Sequence, residues 1–187
     1  MPLSAPDPAR VLVVCTGNTC RSVMAAVMLE HLARRRGVGV VVSTAGTHAA
    51  AGVPPGARTL AALRTVRGLR PALAEVSAAV AGHRSRPLAP GDLRDPALVL
   101  AMEAGHVRTL RRRHPEAATR TGLLRTVARD LAPGDRPLAA RVAALGLEYA
   151  VLEDVDDVTD PAGHDDAAYA ACAAELWSLC RALVRRL

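Results

Sequence analysis

VLVVCTGNTCRS, residues 11–22, decides how the rest of the chain is read. Val11 to Val14 is a short, uninterrupted apolar run, the pattern of a strand covered on both faces. Cys15 ends the run, Thr16-Gly17-Asn18-Thr19-Cys20 reads as a tight loop, and Arg21-Ser22 lead into a segment of helical period. In that segment Met24, Val27, Met28, His31 and Leu32 recur at spacings of three and four, which marks one helical face. A strand, a short loop and a helix N-terminus in succession can converge backbone N–H groups on one point, making an anion cradle. A cysteine at the base of such a cradle lies in a positive field that favours its thiolate. Arg21, separated from Cys15 by five residues, can close the ring and grip two phosphate oxygens at once. Free cysteine is often a small packing residue, but this setting reads as a nucleophile under a bound phosphate.

The chain has 187 residues, enough for one domain with a sizeable core. Half of it is hydrophobic, yet it holds no Phe, one Trp and two Tyr, so Leu, Val and Ala must build that core. All 24 basic residues are arginine, and the net charge is +6. This balance fits acidic or phosphorylated partners, or equally a coding bias towards Arg, Ala, Gly and Pro. Basic residues are not interleaved with aromatic ones, so nucleic acid is not an expected partner. MPLSAPDPAR lacks the apolar core of a signal peptide, and no stretch suggests the roughly 20 apolar residues of a membrane span. The four cysteines do not suggest a disulfide framework, so a reducing cytoplasm is the expected setting.

Residues 1–10, with three prolines, read as a flexible lead-in to one domain spanning 11–187. Gly37 is a plausible stop for the first helix, and Val38–Thr44 reads as a second strand. Pro54-Pro55 opens a helical segment to about Val66, Pro71 interrupts the pattern, and Ala72–Ala81 suggests another short helix. Ala97–Met102 is a third buried strand, with Glu103–Arg113 as the helix after it. Gly122–Val127 is a weaker fourth strand, and 128–146 is not assigned. Tyr169, Cys172, Leu176, Leu179, Leu183 and Leu187 mark a C-terminal amphipathic helix starting near Asp166. Strands alternating with helices imply an α/β fold, a parallel sheet with helices on both faces. In such sheets the site lies at the carboxyl ends of the strands, where Cys15 falls.

Cys15-x5-Arg21-Ser22 with Gly17, Asn18 and Cys20 between them resembles the low-molecular-weight protein tyrosine phosphatases, and CTGNTCRS is most similar to their protein arginine phosphatase branch. Further blocks carry the resemblance along most of residues 10–186. They are Ser43-Thr44-Ala45-Gly46-Thr47 with Gly52-Val53-Pro54, Gly82-His83-Arg84-Ser85-Arg86-Pro87-Leu88, Leu98–Met102, and Asp157-Val158-Thr159-Asp160-Pro161 with Gly163. A segment near 68–80 looks like an insertion, and 128–150 does not match. The resemblance implies a three-layer α/β/α fold around a four-stranded parallel sheet, and a hydrolase that needs neither cofactor nor metal.

Chemistry and resemblance then assign roles. Cys15 attacks phosphorus and forms a phosphocysteine, splitting one hard hydrolysis into two easier steps. Arg21 and the N–H groups of Thr16, Gly17, Asn18, Thr19 and Cys20 stabilise the equatorial oxygens, and Ser22 hydrogen-bonds the departing thiolate. Asn18 holds strained loop geometry, for which asparagine is well suited. The resemblance places Thr44 and His83 in a polar network behind it. A carboxyl group must protonate the leaving group and then activate water. By resemblance this is Asp160, with Pro161 fixing its backbone and Asp157 as the alternative. The acidic run could instead be a solvated loop or a cation site, although it lacks the EF-hand arrangement. Cys20 is implied as a redox guard that traps oxidised Cys15 as a disulfide. Cys172 and Cys180 lie eight positions apart on one helix, about 12 Å, too far to bridge.

Three departures from the family pattern bear on specificity. Val23 replaces the usual proline after Arg-Ser, which removes a pre-set helix start. Ala162 stands where tyrosine-specific members carry an aromatic residue, and Thr19 where they carry a bulkier aliphatic one. Both lean away from a phenyl phosphate, and in the arginine branch a threonine at this place is taken to favour guanidinium. The expected substrate is therefore a phosphorylated protein side chain, phosphoarginine before phosphotyrosine, with a small phosphate ester as the alternative. A related arsenate reductase would need a further cysteine pair after the His-x-Ser block, yet residues 83–171 contain no cysteine. A phosphate-binding module without turnover is the remaining reading, and the oligomeric state is left open.

Overall fold

β1 (Ala9–Cys15) is the axis of the molecule in a computed structural model that describes residues 7–187. The expected flexible lead-in lies mostly outside those residues, and its end is ordered, because Ala9 and Arg10 already pair with β2 (Val40–Gly46). The other neighbour of β1 is β3 (Leu98–Ala101), which pairs in turn with β4 (Thr121–Leu123). All pairs are parallel and the sheet order is β2-β1-β3-β4. The fold is thus the expected α/β/α arrangement of a four-stranded parallel sheet. Alternation along β1 sends Val11, Val13 and Cys15 to one face and Leu12 and Val14 to the other.

On the first face α1 (Arg21–Arg36) and α7 (Asp166–Val184) pack together, burying Met24, Met28, Leu176, Cys180 and Leu183. α2 (Ala57–Thr65), α3 (Leu73–Gly82) and α5 (Leu124–Asp130) complete that layer. On the second face Leu110 of α4 (Ala104–Arg113) covers Leu12, Val14 and Val99. α1 stops where the sequence places the stop: Gly37 adopts φ 68°, and Gly37 and Val38 donate back to Arg34 and Ala33.

Several boundaries move. The helix expected from Pro54-Pro55 begins at Ala57, and Pro71 sits inside a 3-10 turn over Arg67–Ala72 that leads directly into α3. Leu69, Val76 and Val80 bury this segment in the main core, so the stretch near 68–80 belongs to the domain's own packing. The expected strand 122–127 is corrected: β4 ends at Leu123 and α5 starts at Leu124. The turn between them brings Val127 back over Gly122, where a Cβ would stand 2.9 Å from Val127 Cγ2. Leu124, Val127, Ala128 and Leu131 follow helical spacing into the core, which decides the segment. The unassigned stretch after it holds the short helix α6 (Leu138–Ala143). Although the sequence suggests no membrane-length segment, α7 is long and apolar enough for one by length and composition. Its apolar stripe is buried against α1, α2 and α5 in this fold.

Candidate active site

The strand-to-helix turn after Cys15 forms the cradle. Cys15 Sγ lies 3.1 Å from Ser22 Oγ, and the Asn18 N–H donates to it at 3.3 Å. Both groups can therefore donate to a sulfur anion. Asn18 has φ 55°, the one positive φ outside glycine among the described residues. Its surroundings hold it there: Nδ2 donates to Ser22 Oγ at 3.0 Å, Oδ1 accepts the Arg86 N–H at 3.0 Å, and its carbonyl meets His83 Nε2 at 2.8 Å. Thr44 does not join this network. It is a half-buried β2 residue in register with Val13, and the contacts to Asn18 come instead from the His83–Arg86 segment. Ser85 anchors that segment, accepting the Val53 N–H at 3.0 Å and donating to the Ala50 carbonyl.

The rest of the loop is pinned from both sides. Thr59 of α2 donates to the Thr19 carbonyl at 3.1 Å, and the Cys15 and Thr16 carbonyls accept from Thr47 and His48. Gly46 has to be glycine: a Cβ there would stand 2.5 Å from the Thr16 carbonyl oxygen and 2.6 Å from Ala49 Cβ. Cys20 is buried beside Thr59, and burial, with the Cys15 and Asp160 charges adding, pushes its thiol up to about 12. It is therefore a neutral thiol at physiological pH.

Arg21 is 1 % exposed and joins four segments. It donates to Glu103, to the Val158 carbonyl at 2.9 Å, to Asp160 Oδ2 at 2.5 Å and to Thr16 Oγ1 at 3.3 Å. Burial opposes its charge, but the bond to Glu103 and the charges of Asp160 and Glu103 outweigh it and raise its pKa above the ordinary value. The structure thus brings Cys15, Arg21 and Asp160 to one place, although Asp160 is 139 positions beyond Arg21. Asp157, the alternative carboxylate, is committed elsewhere: its Oδ1 accepts the Ala104 N–H at 2.6 Å and caps α4. The Val158 N–H donates to the Met102 carbonyl at 2.7 Å, so the acidic loop is fixed to the end of β3.

Two side chains beside the cradle are not among the expected site residues. Glu103 and His106 open α4, and His106 Nε2 lies 2.9 Å from Thr16 Oγ1. Burial pushes the His106 imidazole down to about 4, with Glu103 opposing and Arg21 reinforcing the shift, so it is neutral in the folded protein. A carboxylate directly after the third strand was the available clue, since that strand ends at the same sheet edge as Cys15. Among the described residues no group of three or more His, Cys, Asp or Glu is placed to hold a metal ion.

The comparisons with known proteins agree with this geometry. The model of the low molecular weight phosphotyrosine protein phosphatases matches residues 10–136. A protein-arginine-phosphatase of Geobacillus stearothermophilus is 37% identical over 118 residues, covering 63% of this chain and 70% of that protein. The low molecular weight protein-tyrosine-phosphatase Etp of Escherichia coli K12 is 35% identical over 113 residues, 60% of this chain and 67% of Etp. Among solved structures, a Cys→Ser mutant of the YwlE arginine phosphatase with a phosphorylated active-site serine superposes with a TM-score of 0.71 at 25% identity, covering 95% of each chain. With its cysteine cradle at the C-terminal edge of this sheet, the chain belongs to the low molecular weight phosphotyrosine protein phosphatase family, a family of hydrolases.

Proposed function

We propose that the protein hydrolyses phosphoarginine on proteins in preference to phosphotyrosine, through a phosphocysteine at Cys15. One observation carries the mechanism: Cys15 Sγ, two hydrogen-bond donors to it and the Arg21 guanidinium share one buried cradle that Asp160 reaches from outside. The substrate's phosphoryl oxygens take over the Arg21 contact now made by Asp160. The Cys15 thiolate then bonds to phosphorus as the P–N or P–O bond breaks, and Asp160 gives its proton to the leaving nitrogen or oxygen. In the second step water attacks phosphorus, Asp160 takes a proton from it, and phosphate and the Cys15 thiolate are released. Ser22 donates to that departing sulfur. The phosphorylated serine of the YwlE mutant supports attack from this place in the cradle.

The preference for phosphoarginine rests on Thr19 and Ala162. Neither supplies the apolar wall that would sandwich a phenyl ring, and Ala162 is exposed at the Asp160 loop. Cys20 would act as a redox guard: a sulfenic acid on Cys15 condenses with the Cys20 thiol to give a disulfide and water. All four cysteines are free thiols, which suits a reducing cytoplasm.

The test is hydrolysis of phosphoarginine, phosphotyrosine and p-nitrophenyl phosphate side by side, with Cys15→Ser and Thr19→Ile variants. Phosphoarginine turns over fastest, Cys15→Ser removes all turnover, and Thr19→Ile moves the preference towards phosphotyrosine. Turnover of p-nitrophenyl phosphate alone would transfer the reading to a small phosphate ester. Tight phosphate binding with no turnover would make the chain a binding module.

A further inference from the structure

The C-terminal end of α1 lies about 22 Å from the cradle along the helix, at 1.5 Å per residue. There Arg35 and Arg36 meet Arg181 and Arg185 of α7 and Arg67 of the 3-10 turn, with Trp177 between them. Together they line a surface pocket of about 550 Å³, within the size range of small-molecule sites. Its floor is fixed. A Cβ on Gly68 would stand 2.0 Å from Trp177 Cζ2, so the indole rests directly on the backbone of that turn.

The charge in this pocket is uncompensated. No carboxylate lines it. Among the described residues none of the five arginines forms an ion pair or donates a side-chain hydrogen bond. Arg34, the residue before Arg35 on α1, is treated differently: it pairs with Glu75. The C-terminal dipoles of α1 and α7 attract cations only weakly. Two of the four last carbonyls of α1, those of Arg34 and Ala33, are moreover already taken by the N–H groups of Gly37 and Val38. His31, at 6.2 Å from the Trp177 ring, agrees with this picture: burial first, then Arg35, holds its pKa below the ordinary value.

We propose that this pocket binds a small anion carrying two or more linked phosphoryl groups, at a site separate from the catalytic cradle. A guanidinium fork takes two phosphoryl oxygens, so five forks around one pocket exceed what a single phosphate can use. A chain of phosphates distributes its oxygens over them. The indole adds a flat apolar surface on which a base could stack. Such an anion comes either as condensed inorganic phosphate or as a nucleoside triphosphate.

Trp177 is the chain's one tryptophan, so its fluorescence reports on this pocket directly. The experiment titrates Cys15→Ser protein, which cannot turn the ligands over, with tripolyphosphate, ATP and poly-glutamate at physiological salt. Tripolyphosphate and ATP give saturable changes, and the additional pair Arg181→Ala/Arg185→Ala weakens both by about tenfold or more. The same pair placed in the wild-type chain leaves p-nitrophenyl phosphate turnover unchanged. ATP binding more tightly than tripolyphosphate assigns a nucleotide to the indole, and equal binding assigns condensed phosphate. The proposal is overturned by no saturable change, by a change that survives loss of the two arginines, or by poly-glutamate binding more tightly than either phosphate.

Discussion

Arg21 and Glu103 form an ion pair that joins the first residue of α1 to the residue preceding α4, across 82 positions of sequence. Arg21 also bonds Asp160, so two carboxylates share one guanidinium, but they are placed for different tasks. Asp160 sits on a loop that reaches over the cradle, whereas Glu103 stands at the end of a sheet strand and cannot follow a substrate. Glu103 therefore fixes the guanidinium plane. Removing it leaves a buried cation aimed only by the Asp160 loop and the Thr16 hydroxyl. Glu103→Ala should lower kcat/KM for p-nitrophenyl phosphate by on the order of 10²-fold, the cost of small misplacements in a preorganised site. It should also lower stability by about 1–3 kcal/mol. Glu103→Gln keeps an oxygen for Arg21 and should retain more activity. Equal rates for the two variants would show that charge balance, and not orientation, is the contribution of Glu103.

Asp160 should behave as a proton donor whose importance depends on the leaving group. A nitrophenolate leaves readily without a proton, whereas the guanidine of phosphoarginine is too basic to leave without one. Asp160→Asn should therefore cost phosphoarginine turnover about 10²–10⁴-fold, the range of general acid catalysis, and p-nitrophenyl phosphate turnover much less. The contact with Arg21 complicates the variant in a measurable way, since losing this charge should also tighten the binding of phosphate as a competitive inhibitor. If both substrates slow equally, Asp160 acts on the cradle and not on the leaving group.

The cradle was legible from residues 11–22 because everything that builds it is local: a buried strand, a loop and a helix start are written in consecutive positions. The sequence marks Asp160 only through its motif, with Asp157 as the alternative. The choice depends on which carboxylate α4 takes as its cap, a fact of tertiary structure. Glu103 and His106 were not legible as site residues, since only the parallel pairing of β1 with β3 brings them beside Thr16 and Arg21. Thr44 was misplaced for the converse reason. Its strand passes the cradle, but the hydrogen bonds to Asn18 are made by His83 and Arg86 instead. Gly122–Val127 has the look of a strand because a short run does not reveal its period, and the turn after Leu123 makes most of it helix.

Gly46 is the point where β2 supports the cradle from beneath, and its N–H and carbonyl are both taken by the segment after His83. Gly46→Ala would place a methyl group against the Thr16 carbonyl and Ala49, both on fixed backbone. Overpacking at such a point costs about 1–3 kcal/mol, and relief by moving residue 16 would also shift the loop N–H groups. The variant should thus lose phosphate affinity in excess of its loss of stability, read by calorimetric titration beside thermal unfolding. Gly56→Ala, at a helix start with open space around it, serves as the control and should leave phosphate binding unchanged. Unaltered phosphate affinity in Gly46→Ala would mean that the loop does not depend on this strand for its shape.

His106 makes folding sensitive to acid in a defined window. Burial, helped by Arg21 and opposed by Glu103 and Asp160, holds its imidazole at about 4, whereas an unfolded histidine titrates near 6.5. Between these values the unfolded chain holds a proton that the folded one does not, so stability falls as pH drops from 6.5 towards 4 and is unaffected by this group above 6.5. At pH 5 the contribution is about 2 kcal/mol. His106→Gln cannot take up that proton in either state and keeps a polar atom within reach of Thr16. Urea unfolding at pH 7 and pH 5 should therefore show the wild type losing about 2 kcal/mol more than His106→Gln over that interval. Equal losses would place the proton on His106 in the folded protein as well, and Thr16 would then face an imidazolium.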